Sequence, residues 1–457
     1  MDAIAETSET RRGRLWDALR VWTHVSMAGI GGPALQIATM HRLLVHERRW
    51  ISDERFFHAL NYCIAMPGPE TQQLAVYVGW LAHRTIGGII AGGLFILPGV
   101  VCMMALCFGY VEGATSQIGQ AVFLGVKPAI FAIITEAVLR FGGHVLRGRW
   151  MVALAALAFV AAFFFKLSFL IIVFGAAVIG LAAGWARLPG FTRPLPHPVH
   201  DLGAGHEYEE LPDHTRPSRA RLVRSLALWL ALWLVPVIAL IAIFGLQNVY
   251  TQIALLFSKI ALMAFGGDFA VIAYAAQQIV DSHHWLSARE MQDGIALGEM
   301  VPGSIIIVTQ FVGFLVAYRD PGALPPLLAG TLGGLLATWV TFMPCFLWIF
   351  VVAPFIEGLR DNAFLNAALR AVTAAAIGMI VDLSAWFGIR TLFHDHEAVR
   401  LAWLTFDVPN PATLDPWALV LFVAAAIAVF RFKASAAATL IASSAAGVTL
   451  FLLGLTG

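Results

Sequence analysis

The chain has 457 residues, 59% of them hydrophobic and 12% charged, with a formal net charge of +1. Average soluble domains carry roughly 25% charged residues, so this composition excludes an ordinary soluble enzyme or binding domain and points to an all-α polytopic membrane protein. A net charge near zero also excludes bulk electrostatic attraction to nucleic acid or to acidic partners.

Met1 to Leu15 is polar, and no cleavable leader pattern precedes the first apolar stretch. The first two apolar segments are each broken midway, one by Gly31-Gly32-Pro33 and the next by Pro67-Gly68-Pro69. Glycine and proline weaken a helix interior, whereas proline suits the first position of a new helix. Each break therefore predicts a fresh helix N-terminus within the membrane, where unpaired N–H groups and the helix dipole favour an anion. Irregular backbone at that depth is tolerated where it lines a cavity or lies within protein. Polar residues follow each break: Gln36 after the first, then Glu70, Thr71, Gln72 and Gln73 after the second. Apolar runs at 86–111, 118–139 and 167–186 come next, each near the ~20 residues that cross a bilayer. Lys127 lies inside the second of these, and Lys166 separates two short apolar helices.

Leu188 to Arg224 is polar and proline-bearing, ends in a basic run (Arg216, Arg219, Arg221, Arg224), and is expected to be a cytoplasmic linker (188–224). One unpaired apolar helix, 225–246, follows, and from 247 the pattern begins again. Gly31-Gly32-Pro33, Trp50-Ile51-Ser52 and Pro67-Gly68-Pro69 recur as Gly266-Gly267-Asp268, Trp285-Leu286-Ser287 and Pro302-Gly303-Ser304, all at an offset of 235. Leu97-Pro98 and Phe141-Gly142 recur as Met343-Pro344 and Phe387-Gly388 at an offset of 246, where Glu136 and Asp382 also fall into register. Lys433 takes the place of Lys166. We expect two repeats, 1–187 and 247–457. The helix 225–246 makes the number of segments between equivalent points odd, which turns the second repeat upside down, a common plan for secondary transporters with a site between the repeats.

Basic residues in the N-terminal tail, around Arg147 and Arg149 and in the linker place those parts in the cytoplasm, and the acidic stretch 391–411 outside. If every broken segment crosses the membrane, the chain has 13 spans. If each folds back, it has nine spans and four re-entrant hairpins. His41 to Arg55 has four arginines against three acids, and Asp281 to Asp293 one against three, which favours folding back.

Buried carboxylates in transporters commonly carry protons, making Glu70, Asp268 and Glu299 candidates; capping of a helix by Asp268 is the alternative. Fixed positive charge is scarce in the apolar runs, so Lys127, Lys259 and, more weakly, Arg370 are candidate anion attractors, against roles in structural ion pairs. Cys63, Cys102, Cys107 and Cys345 lack metal-type spacing, and the histidines sit mostly in polar loops. Neither a metal nor a cofactor is expected. No phosphate-binding loop and no G-x-S-x-G turn occurs, which disfavours an ATPase or a serine hydrolase.

The run Phe257-Ser258-Lys259-Ile260-Ala261-Leu262-Met263-Ala264-Phe265-Gly266-Gly267, with Trp285-Leu286-Ser287, Ala65-Met66-Pro67-Gly68-Pro69 and Gly125-Val126-Lys127-Pro128-Ala129, resembles the chromate ion transporter family in its long, two-domain form. That resemblance implies chromate efflux and chromate resistance, with sulfate or other oxyanions handled by some members. It singles out Gly31, Gly32, Pro33, Pro67, Gly68, Pro69, Lys127, Pro128, Lys259, Gly266, Gly267, Pro302 and Gly303. With Gln36, Thr71, Gln72 and Ser304 added from the breaks, these residues other than Pro128 form the expected substrate-binding set. His24 stands where the second repeat has Lys259, Pro33 where it has Asp268, and Thr373 where the first has Lys127, so the halves are expected to be inequivalent.

The expectation is thus a non-enzymatic secondary transporter of the bacterial inner membrane, N-terminus cytoplasmic, exporting chromate by alternating access. The alternative is a proton-coupled importer of sulfate or another oxyanion. The lipid bilayer is its surroundings, and a homodimer is compatible with the fused repeats but not required by them.

Overall fold

The computed structural model describes residues 8–27, 33–113, 116–146, 148–188, 191, 218–263, 268–353, 363–401 and 404–455. The first repeat comprises α1 (Ser8–Met27), α2 (Pro33–His41), α3 (Asp53–Ala65), α4 (Glu70–Gly113), α5 (Gln117–Val145), α6 (Arg149–Phe163) and α7 (Phe169–Trp185). After α8 (Arg219–Phe244), the second comprises α9 (Val249–Met263), α10 (Asp268–Ala276), α11 (Ala288–Met300), α12 (Val308–Arg319), α13 (Pro326–Val352), α14 (Ala363–Leu392), α15 (Pro416–Phe432) and α16 (Ala436–Leu452). The chain is an all-α polytopic membrane protein. Helices α4, α5, α8, α13 and α14 are long and apolar enough to cross a bilayer, and α6, α7, α15 and α16 are shorter apolar helices.

The internal duplication governs the backbone. Helices α2 and α10 have the same length and stand at the offset of 235, as do α3 and α11. Two widened, π-helical turns, Arg42–Glu47 and Gln277–Ser282, are also equivalent at that offset. Left-handed backbone recurs with them: Arg49 (φ 52°) with His284 (φ 52°), and Gly68 (φ 120°) with Gly303 (φ 102°).

The helices that flank each break run back alongside one another. Arg48, beyond α2, reaches Asp17 of α1 at 2.8 Å, and Trp22 and Trp50 lie 6.5 Å apart, so α1 and α2 open to the same side. Trp50, before α3, meets His83 in α4 at 5.1 Å. Lys259 of α9 donates to Gln278 past α10 at 3.3 Å. Gly294 of α11 packs directly on Phe311 of α12, and Arg319 at the end of α12 pairs with Glu290 at the start of α11. The fold-back alternative is therefore the one the chain adopts. Helix α4 is itself two helices, because His83 and Arg84 (φ 58°) leave helical geometry and Gly79 comes back onto Gly87.

The C-terminal hairpin of each repeat packs on the long helix of the other. Gly180 of α7 fits against the Ala367 carbonyl of α14, where an added Cβ would lie at 2.6 Å. In the same way Gly447 of α16 fits against the Ala121 carbonyl of α5 at 2.5 Å. Small residues allow this close approach between membrane helices. The stretch 391–411, read from sequence as a plain loop, carries an antiparallel β-hairpin, β1 (His396–Leu401) with β2 (Leu404–Pro409). It lies on the α6–α7 turn, where the Thr405 amide donates to the Phe164 carbonyl at 2.8 Å. The C-terminal ends of α5 and α14 thus lie at opposite ends of the bundle, as inversion of the repeats requires.

Candidate functional site

Each hairpin has at least one short helix: α2 and α10 have nine residues, α3 and α11 have 13, and α12 has 12. At 1.5 Å per residue they reach only about 13–20 Å, so their tips end inside the protein. Gly31, Gly32, Gly266 and Gly267 lie outside the described residues, but the helices that follow them are placed. Pro33 opens α2, Glu70 opens α4, Asp268 opens α10, and Ser304 caps the short turn leading into α12.

These starts converge. The Gln36 amide donates to the Gly303 carbonyl at 2.5 Å, and Ser304 Oγ donates to Asp268 Oδ2 at 2.7 Å. The Glu70 carboxyl lies against Asp268. Elements of all four hairpins therefore meet in one place, and each repeat braces the other. Gly99 of α4 has no room for a Cβ because the Pro302 carbonyl occupies that space. A Cβ on Gly68 would lie 2.8 Å from Cys345 Sγ of α13. Gly99 and Cys345 each follow the helix-interior proline of their repeat, Pro98 and Pro344, so the two braces are register equivalents. Gln73 donates to the Pro67 carbonyl at 2.6 Å, which closes its own turn, and Gln310 donates to the Val100 carbonyl of α4 at 2.9 Å, which ties α12 to the other repeat.

Not every polar group there is used. Thr71 and Gln72 are fully buried, and among the described residues Thr71 Oγ1 and both Gln72 amide atoms have no hydrogen-bond partner; Thr309 Oγ1 is in the same condition. Buried polar atoms are nearly always hydrogen-bonded, so these groups are available to a polar ligand. A hydroxyl and an amide N–H beside helix N-termini can hold a tetrahedral anion through neutral donors. Carboxyls stand among them: Glu70 and Asp268 at two of the N-termini, and Glu299 buried at the end of α11.

The expected cations are engaged elsewhere. Lys127 of α5 forms an ion pair with Asp293 of α11 at 2.7 Å, and Tyr110 donates to the other oxygen of Asp293 at 2.9 Å. Lys259 is exposed and donates to Gln278. Asp293 and Tyr110 were missed from sequence: Asp293 reads as the end of a polar connection, whereas it is buried in the second turn of α11. Its spacing from Gly294 and Gly298, which face α12, was the available signal. Among the described residues, His41, His46 and Asp53 have ligand atoms within 4.8 Å of one another; His46 and Asp53 are exposed, and His41 bonds Asp53 at 2.5 Å.

The chromate transporter family matches the chain over two regions, residues 16–181 and 251–448. A chromate transport protein of Pseudomonas aeruginosa is 31% identical over 359 residues, covering 77% of this chain and 75% of the relative. A chromate transport protein of Cupriavidus metallidurans is 27% identical over 352 residues, covering 77% of each. No solved structure matches the chain.

Proposed function

The chain belongs to the chromate transporter family, and from that premise we propose that it exports chromate across the bacterial inner membrane, its N-terminus in the cytoplasm, by alternating access of two inverted repeats about the hairpin tips. The observation that carries this most is the meeting of unspent buried donors, Thr71 and Gln72, with tips drawn from both repeats. Donors shared between inverted repeats can be offered first to one face and then to the other. The substrate-binding set is Gln36, Thr71, Gln72 and Ser304, with the backbone of Gly31-Gly32-Pro33, Pro67-Gly68-Pro69, Gly266-Gly267 and Pro302-Gly303. Lys127 serves that set as a positioning residue, through Asp293.

Outward movement of a dianion from a cell that is negative inside is downhill by about 2.3 kcal/mol per charge per 100 mV. Coupling to protons is therefore not needed for export. One arrangement nevertheless favours a second reading, a proton-coupled oxyanion carrier. Glu70 and Asp268, both buried, occupy two of the helix N-termini an anion would use, and buried carboxyls in transporters commonly carry protons.

The test is flux in liposomes containing the purified protein under an imposed membrane potential, with sulfate as competitor. Potential-driven chromate flux, abolished in Thr71→Val/Gln72→Leu, is the expected result. Chromate flux that is absent, or unchanged in that variant, would refute the reading or its site respectively.

A further inference from the structure

Two cavities lie at opposite ends of the bundle, and the register of the repeats relates their linings. The larger, about 780 Å³, is bounded by the C-terminal part of α5 with Glu136 and Arg140, by Lys433 in the α15–α16 turn, and by Phe269 and Glu299. The smaller, about 50 Å³, is bounded by the C-terminal part of α14 with Asp382, by Lys166 in the α6–α7 turn, and by Tyr274, Gln277 and Asp281. Glu136 and Asp382 are equivalent at the offset of 246. Lys166 (φ 48°) and Lys433 (φ 52°) occupy the two hairpin turns in the same left-handed conformation. Each cavity therefore joins the carboxylate of one repeat to the lysine of the other.

Helix α10 connects them. Phe269, one residue past Asp268 at the tips, lines the larger cavity, while Tyr274 and the turn after α10 line the smaller. Glu299 brings the larger cavity to within three residues of the Pro302-Gly303 turn. The tips thus lie between the two. Their volumes are unequal: a few waters fill 50 Å³, whereas 780 Å³ admits a hydrated anion. Beside the α6–α7 turn that carries Lys166, the β-hairpin is fastened twice, by Thr405 on the Phe164 carbonyl and by Arg390 on Asp407 at 3.0 Å.

We infer that these cavities are the two access vestibules of one oxyanion path, one wide and its twin narrow, with Lys433 and Arg140, the latter paired with Glu136 at 3.6 Å, forming the first contact site for a tetrahedral dianion on the wide side and Lys166 its counterpart on the narrow side. This rests on the transporter reading above and adds to it the residues that receive the anion at each face. Conversion to the opposite state requires the narrow cavity to widen and the wide one to narrow.

The test uses the full-length protein with Cys102→Ser, which removes the exposed native thiol. Single reporters Lys433→Cys and Lys166→Cys are placed in inside-out and right-side-out vesicles and treated with a membrane-impermeant maleimide. Molybdate is the probe anion, being tetrahedral, doubly charged and inert to thiols. Because Lys433 ends α15 in left-handed geometry, Ser435→Cys on the same cavity is a second reporter. Expected is labelling at 433 and 435 at least tenfold faster from the N-terminal side, labelling at 166 faster from the opposite side, and at least threefold slowing at 433 or 435 by molybdate. Labelling of all three from one face would overturn the inference, as would the absence of molybdate protection in protein with active flux. Opposite-face labelling with protection, in protein that moves no chromate, would uphold the vestibules and sink chromate as the cargo.

Discussion

Lys127 and Asp293 tie α5 of the first repeat to α11 of the second, and this pair gives the sharpest test of the site. The side chains are 13% and 9% exposed, and Tyr110 completes the carboxylate. Removing one partner of a buried pair strands the other charge, typically at about 3–5 kcal/mol, whereas replacing both with apolar groups of similar volume is often neutral. Lys127→Met and Asp293→Leu should therefore each destabilise by about 3 kcal/mol or more. For 457 residues that lowers Tm on the order of 3 °C, taking unfolding entropy to scale with length. Lys127→Met/Asp293→Leu should recover most of the loss, a coupling on the order of 5 kcal/mol. The assay is thermal unfolding in detergent for all four proteins, with chromate flux in parallel. If Lys127 positions α11, flux returns in the double variant along with stability. Additive losses would refute the ion pair as the anchor. Restored stability without restored flux would show instead that Lys127 touches the anion.

Thr71→Val and Gln72→Leu each remove a neutral donor to a charged ligand, worth about 1.5–3 kcal/mol, so the KM for chromate should rise roughly tenfold or more in each, measured from initial flux rates. Gly99→Ala drives a Cβ into the Pro302 carbonyl, while Gly93 on the same helix has open space; flux should fall at least tenfold in Gly99→Ala and stay unchanged in Gly93→Ala. Glu70→Gln should remove any dependence of flux on an imposed pH gradient while leaving the response to membrane potential, and a gradient response that persists in Glu70→Gln would exclude Glu70 as the proton carrier.

Much of this protein was legible in its sequence because its strongest constraints are local and repeated. Apolar runs near bilayer length define membrane helices, since a backbone in lipid must satisfy its own hydrogen bonds. Gly-Gly-Pro and Pro-Gly-Pro mark breaks because proline and glycine cannot continue a helix without loss, and recurrence at one offset marks the duplication. The polar residues that meet at the tips, Gln36, Glu70, Asp268 and Ser304, could be named because each sits within a few residues of a break.

What remained was decided between elements far apart in sequence. Folding back and crossing demand the same residues at Pro67-Gly68-Pro69; only the contact of Trp50 with His83 and of Gly294 with Phe311 separates them. Lys127 reads as an anion attractor or as one half of an ion pair, and only α11, which brings Asp293 to 2.7 Å, decides between them. The vestibules have no local signature either, because each takes its carboxylate from one repeat and its lysine from the other. Composition and periodicity therefore determined the class of the protein and where its helices break. The tertiary structure alone decided which charges are neutralised and which donors stay unspent, because those depend on side chains that packing, and not chain neighbourhood, brings together.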